Sequence, residues 1–304
     1  MISIQNITKT YEKGTIKALD KVTFTVNEGE LFGLIGADGA GKSTLFRILT
    51  TLLIPDTGTA SVAGFDVVKD YKEIRKIVGY MPGKFSLYQE LSIEENLNFF
   101  ATVFGTSLAE NLHLIEEIYV QIEPFKKRLA GQLSGGMKQK LALCCALIHE
   151  PKVLFLDEPT TGVDPVSRKE FWEMLGRLKA KGITILVSTP YMDEAKLCDR
   201  IALIQNSKIL EVDTLGGVLN KNKQNLWSVN TQSNRFELMK DLRAFPDTIS
   251  CFAFGQNQHL ELKPAPNNSL DLKNYLIKKG HQGIEIESIS PDIEDTFIKL
   301  MQDG

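Results

Sequence analysis

Two hydrophobic periods take turns along most of the chain. Residues 2–10 alternate apolar and polar positions, and Val22–Val26 does so again before the turn Asn27-Glu28-Gly29-Glu30. These stretches predict paired strands. Leu31–Ile35 is an apolar run with one Gly and predicts a buried strand, whereas Thr44–Leu52 places Leu45, Ile48, Leu49 and Leu52 at helical spacing. Further strands are predicted at 59–63, 77–81, 153–156, 183–187, 200–204 and 208–212. Helices are predicted at 71–76, 92–104, 108–122, 136–149, 164–181 and 191–198. Ser92 with Glu95 three residues on has the pattern of a capping box. Val153-Leu154-Phe155-Leu156 is wholly apolar, which predicts a parallel sheet covered on both faces.

Beyond the polar stretch Lys221–Asn225, read as a linker, the order changes to strand 226–231, helix 235–245, strands 249–254 and 259–263, helix 270–279, strand 284–289 and helix 292–301. This β-α-β-β-α-β order suits a small ferredoxin-like module. It carries no catalytic constellation, so a packing or dimerising appendage is the simpler reading, and a regulatory ligand domain the other. The predicted organisation is an α/β domain over 1–219 and an accessory α+β domain over 220–304.

The 304 residues carry a formal net charge of −3 and are 43% hydrophobic. That suits one large domain with a smaller one and gives no bulk-charge signal for nucleic acid, which is not expected as a partner. No stretch approaches a membrane span. The sequence opens directly into a strand-like pattern, which predicts no signal peptide. The four cysteines, Cys144, Cys145, Cys198 and Cys251, lack metal spacing and predict reduced thiols in a cytoplasmic setting. The aromatic-rich stretch with Phe85, Tyr88, Phe99, Phe100, Phe104, Tyr119 and Phe125 predicts mostly core residues, some lining a groove for a partner helix. His149 closes a predicted helix, where a cation suits the dipole.

The chemistry concentrates between the strand at 31–35 and the helix at 44–52. Gly36-Ala37-Asp38-Gly39-Ala40-Gly41-Lys42-Ser43, followed by Thr44, fits G-x-x-x-x-G-K-[ST], a phosphate-cradling P-loop. Its glycines let backbone N–H groups turn inward at a helix N-terminus. Lys42 would reach the β- and γ-phosphates and the Ser43 hydroxyl would bind Mg²⁺. The apolar strand at 153–156 ends in Asp157-Glu158, at the carboxyl edge where α/β sheets place ligand chemistry. Asp157 would help hold Mg²⁺, and Glu158 would orient and deprotonate an attacking water. Leu133-Ser134-Gly135-Gly136-Met137 opens a helix capped by Ser134, and two glycines there permit close approach of an anion. Tyr11, taken alone, is a strand-end aromatic.

Together, the P-loop, Leu133-Ser134-Gly135-Gly136, the strand Val153–Asp157 with Glu158, and Thr161-Gly162-Val163-Asp164 resemble the ATP-binding subunits of ABC transporters over roughly residues 1–215. The resemblance implies a P-loop NTPase fold: a RecA-like parallel sheet core, an antiparallel β subdomain and a helical subdomain at about 84–149. It implies ATP and Mg²⁺ as cofactors, Tyr11 stacking on adenine, and Asp164 in a D-loop. It also implies a composite site in which Ser134, Gly135 and Gly136 cap ATP on another subunit, in a homodimer or a heterodimer with another ABC ATPase. Leu87-Tyr88, Glu94–Leu97, Tyr191–Ala195 and Ser290–Phe297 are similar to the exporter type, which sits on the inner face of the cell membrane through separate permease subunits.

Two positions depart from that pattern. Gly83 stands where the family usually has a Gln that senses Mg²⁺ and water, and Pro190 where it has a switch His. Ser188 or Thr189 is the candidate replacement hydroxyl. Two functions follow: an ATPase that drives export, or a nucleotide-binding regulatory subunit with weak hydrolysis that completes a partner's site. A soluble relative acting on ribosomes or DNA is disfavoured, since the chain has one ATPase half and no long heptad run.

Overall fold

The computed structural model describes residues 1–221, 223–232, 234–264 and 268–303. It divides into two compact units, Met1–Leu215 and Gly216–Gly304. In the first unit, β1 (Ile2–Tyr11), β2 (Ile16–Val26), β4 (Thr57–Val62) and β5 (Phe65–Asp66) form an antiparallel layer in the order β2-β1-β4-β5. β3 (Leu31–Ile35) starts the second sheet, and α1 (Lys42–Leu49) follows it directly across the Gly-rich loop. Then come α2 (Tyr71–Ile77), β6 (Val78–Met81) and the helical subdomain of α3 (Ile93–Val103), α4 (Leu108–Tyr119) and α5 (Gly135–Leu147). β7 (Val153–Asp157), α6 (Pro165–Ala180), β8 (Thr184–Thr189), β9 (Arg200–Gln205) and β10 (Lys208–Asp213) complete the unit.

The central sheet has the order β10-β9-β3-β8-β7-β6, parallel except for its β10 edge. Every residue of β3, β7 and β8 is buried, as strands covered on both faces should be. One face packs with α1 against the antiparallel layer, where Phe24 stacks on Phe32 at 5.3 Å and Phe46 meets Phe155 edge-on at 6.0 Å. The other face is closed by α5, α6 and the helices beyond them, with Cys144 and Cys145 buried inside. Burial pushes both thiols up, so they pack as small apolar groups. A full capping box opens α3, Ser92 with Glu95, and α4, Ser107 with Glu110, the second unforeseen from sequence.

The chain passes from the first unit to the second within α7 (Leu215–Lys221), which the hydrophobic pattern did not predict; Gly216 and Gly217 lower its propensity. β11 (Leu226–Asn230), α8 (Arg235–Ala244), β12 (Thr248–Phe254), β13 (Asn257–Leu262), α9 (Asn268–Lys278) and β14 (Glu285–Ile289) form an antiparallel sheet ordered β12-β13-β11-β14, with α8 and α9 packed on the face of Val229, Leu260 and Leu262. α10 (Ile293–Asp303) is tied to β13 by Asp295–His259 (2.8 Å) and Lys299–Glu261 (3.4 Å). Among the described residues, no helix is long and apolar enough to cross a membrane.

Candidate nucleotide site

The loop from β3 to α1 is shaped by backbone approach. A Cβ at Gly36 would sit 2.1 Å from the Ile204 carbonyl oxygen of β9. A Cβ at Gly41 would sit 2.2 Å from the Ala18 carbonyl oxygen, and Gly41 holds φ at +109°. No residue with a side chain fits either place. Gly41 is also the N-cap of α1, and no side chain caps that end. The first-turn N–H groups therefore keep their donors for something else. Ala37, Asp38 and Gly39 are exposed and Ala40 is buried.

Lys42 is 3% exposed. Its Nζ donates to the carbonyls of Gly36 (2.8 Å) and Ala37 (3.0 Å) and pairs with Glu158 Oε1 at 2.9 Å. Ser43 and Thr44 are half-buried, and Thr44 Oγ1 lies 3.3 Å from the Tyr11 hydroxyl. This brings the strand-end aromatic to the first turn of α1.

The parallel register aligns the other half. Ile35 pairs with Thr189 and Asp157 with Ser188, so the carboxyl ends of β3, β8 and β7 stand side by side. Ser188 Oγ donates to Asp157 Oδ1 at 2.7 Å and accepts from the Glu158 N–H at 3.0 Å. Glu158 takes a left-handed φ of +52°, unusual for a residue with a side chain. A Cβ at Gly83 would lie 3.0 Å from the Asp157 carbonyl oxygen and 3.7 Å from its Oδ2, so the departing position borders the acidic pair. Nearby, burial first and the Asp157 charge second push the Tyr80 phenol up to about 12, which keeps it protonated.

The replacement hydroxyls proposed for Pro190 are already engaged. Ser188 spends its proton on Asp157, and Thr189 donates to Glu194 Oε2; both residues are fully buried. Neither has a donor left for a phosphate.

Ser134 caps α5, accepting from the Met137 N–H at 3.4 Å. Ser134 and Gly135 are exposed, and a Cβ at Gly136 would strike the Ser167 hydroxyl at 2.8 Å. Asp164 caps α6, accepting from the N–H groups of Val166 (3.1 Å) and Ser167 (3.0 Å); hydrogen bonds from Ser167 hold its carboxyl below the usual range. Gly135 and Glu158 line one small cavity of about 90 Å³ together with Gly83 and Gly162.

Two expectations fail around the helical subdomain. Of the seven aromatics expected mostly in the core, only Tyr119 is buried, and Tyr88, Phe99, Phe104 and Phe125 are exposed. Their aromatic character suggested burial, but three of them pack on one another near the surface, Tyr88 against Phe99 at 4.8 Å and Phe99 against Phe100 at 5.4 Å. His149 is not a helix-end cation. α5 ends at Leu147, the ring stacks on Phe104 at 3.7 Å, and its Nε2 meets the Val78 carbonyl at 3.0 Å. Burial pushes its pKa down, toward the neutral ring. His149, Phe100 and Phe104 border an apolar groove of about 420 Å³ with Tyr80, Met81 and Pro82.

The sequence model of the ABC transporter family matches residues 19–161. The chain is 34% identical to the Nod factor export ATP-binding protein I of Sinorhizobium fredii, over 98% of this chain and 85% of that one. It is 37% identical to the probable multidrug ABC transporter ATP-binding protein YbhF of Escherichia coli, over 99% of this chain and 52% of that one. It is 40% identical to the doxorubicin resistance ATP-binding protein DrrA of Mycobacterium tuberculosis, over 70% of this chain and 65% of that one. The chain thus spans about half the length of YbhF. A solved ATP-binding subunit of an ABC transporter superposes with a TM-score of 0.66 at 30% identity, covering 73% of this chain and 92% of that one. A dimeric ATP-binding cassette in a post-hydrolysis state with ADP and Pi superposes with a TM-score of 0.64 at 27% identity, covering 71% and 99%. The fold and its phosphate cradle define a P-loop ATP-binding cassette. The chain belongs to the ABC transporter ATP-binding family.

Proposed function

We propose that the chain binds ATP on its P-loop and hydrolyses it to drive an exporter built from separate membrane permease subunits. The observation that carries this reading is the Lys42–Glu158 pair at 2.9 Å, which puts a carboxylate at the phosphate-binding lysine. Phosphate oxygens take the unused N–H groups of α1 and draw Lys42 away from the Gly36 and Ala37 carbonyls. Glu158, released from Lys42, accepts the proton of the attacking water. Tyr11 gives the adenine a face to stack on, and Ser134, Gly135 and Gly136 cap ATP bound to a second cassette.

The Ser43 hydroxyl and the Asp157 carboxylate are hard oxygen ligands, and Ser188 leaves Asp157 Oδ2 without a bond to it, so the pair fits Mg²⁺. Bound there with the substrate phosphates, Mg²⁺ supplies neutralisation of the phosphate charge. A permease helix fills the apolar groove over Tyr80–Pro82, Phe100 and Phe104, which leads to Gly83 and the acidic pair. That docking puts the chain on the cytoplasmic face of the membrane.

Equilibrium binding of labelled ATP tests the core of this reading. Lys42→Ala should lose binding, and unchanged binding would refute it. A second reading, a cassette that hydrolyses weakly and mainly completes a partner's site, is favoured by Gly83, Pro190 and the engaged Ser188 and Thr189 hydroxyls.

A further inference from the structure

Glu194 lies in the Tyr191–Ala195 stretch, outside the phosphate, Mg²⁺ and Leu133–Met137 motifs, and it is a convergence point of the site. Its side chain is 2% exposed. Thr160 Oγ1 donates to its Oε1 at 2.9 Å, the Arg168 guanidinium lies 3.5 Å from the same oxygen, and Thr189 Oγ1 donates to its Oε2. The three partners belong to different pieces of the site. Thr160 is two residues beyond Glu158, Arg168 is on the first turns of α6 behind Asp164, and Thr189 ends β8 beside Pro190. Arg168 is itself fixed by Asp193 at 3.0 Å and by the Tyr191 ring at 4.4 Å, and Thr189 Oγ1 accepts from the Tyr191 N–H at 3.0 Å.

Glu158 holds a strained left-handed backbone, and such a conformation persists only where its surroundings over-determine it. Ser188 grips it on the β8 side. On the other side, the backbone bonds Thr161 N–H to Glu158 (3.2 Å) and Val163 N–H to Thr160 (3.2 Å) make a tight turn, and Thr160 anchors that turn to Glu194. We infer that Glu194 is a positioning residue for ATP hydrolysis: it clamps the turn at 158–164 to the end of β8 and so sets the direction in which Glu158 presents its carboxylate. The inference rests on the reading of Glu158 as the hydrolytic base.

Glu194→Gln keeps the shape but leaves one acceptor oxygen for three donors. Thr160→Val cuts only the link to the turn and leaves Thr189 and Arg168 in place. The expected result for the full chain is a kcat lowered roughly 10- to 100-fold in both variants, with the Kd for ATP unchanged. The double variant should be no worse than Glu194→Gln alone, because both cut one link. Amide hydrogen exchange over 158–164 should quicken about 10-fold or more in both, while α1 stays protected. Exchange is read without turnover, so it decides the inference even where hydrolysis is slow. Unchanged exchange and kcat in Thr160→Val would overturn it, as would additive losses. Failure of the wild-type chain to bind ATP would instead remove the underlying reading.

Discussion

Around α1, the site is made of backbone: carbonyls that forbid a Cβ at Gly36 and Gly41, and uncapped N–H groups at a helix start. At the ends of β7 and β8 it is made of side chains: Ser188 on Asp157 and Glu158, Thr189 and Thr160 on Glu194. The first half depends on a short contiguous run and tolerates little variation. The second is assembled from residues far apart in sequence, and beside it stand Gly83 and Pro190, where the resemblance leads one to expect a Gln and a His. On the proposed reading, the backbone cradle would hold the ligand, and the side-chain network would set how well the bound ligand reacts.

The sharpest way to break that contrast is Gly41→Ala. The added methyl meets the Ala18 carbonyl at 2.2 Å in a left-handed backbone, and should cost about 3 kcal/mol. A fall in Tm together with lost ATP binding is expected; retained binding would show that the cradle is not rigid. Ser188→Ala leaves the buried Asp157 Oδ1 without its hydroxyl donor and the Glu158 N–H with the Ser188 carbonyl alone, and should cost about 1–3 kcal/mol by denaturant unfolding. Its effect on turnover should exceed its effect on ATP affinity, the reverse of Gly41→Ala. Pro190→His supplies a donor that Ser188 and Thr189 lack. It should raise kcat about 10-fold with little change in affinity, below the full value of a preorganised donor because Gly83 remains.

The legibility of the chain follows the same division. β3, the P-loop, α1 and the apolar strand into Asp157-Glu158 can be read from sequence, because each is a local pattern with one physical solution. The fold of the second unit is also readable, since its strands and helices each keep their own period. The Glu194 network is not, because Thr160, Arg168 and Thr189 meet only in the folded chain. The exposed aromatics of the helical subdomain deceive the eye for a similar reason. An aromatic-rich stretch reads the same whether a core or a partner covers it, and here Tyr88 and Phe104 are exposed.

His149 shows the smallest of the expected effects. Burial lowers its folded pKa below the ordinary 6.5, so between those two values the unfolded chain binds the extra proton. Stability should therefore be fully present above about pH 6.5 and fall as pH drops through the folded pKa. His149→Phe should flatten that slope in unfolding measured from pH 7.5 to 5; an unchanged slope would mean that the ring is not what titrates.

The central claim is that the backbone cradle and Glu158 together make a working ATPase. Mg-ATP turnover of the purified chain, measured against protein concentration with Glu158→Gln as the blank, tests it most directly. The account predicts turnover that rises faster than linearly with concentration, as a composite two-cassette site requires, and that disappears in the blank. Turnover no higher than the blank at saturating bound ATP would contradict it, and would assign the competent site to a partner.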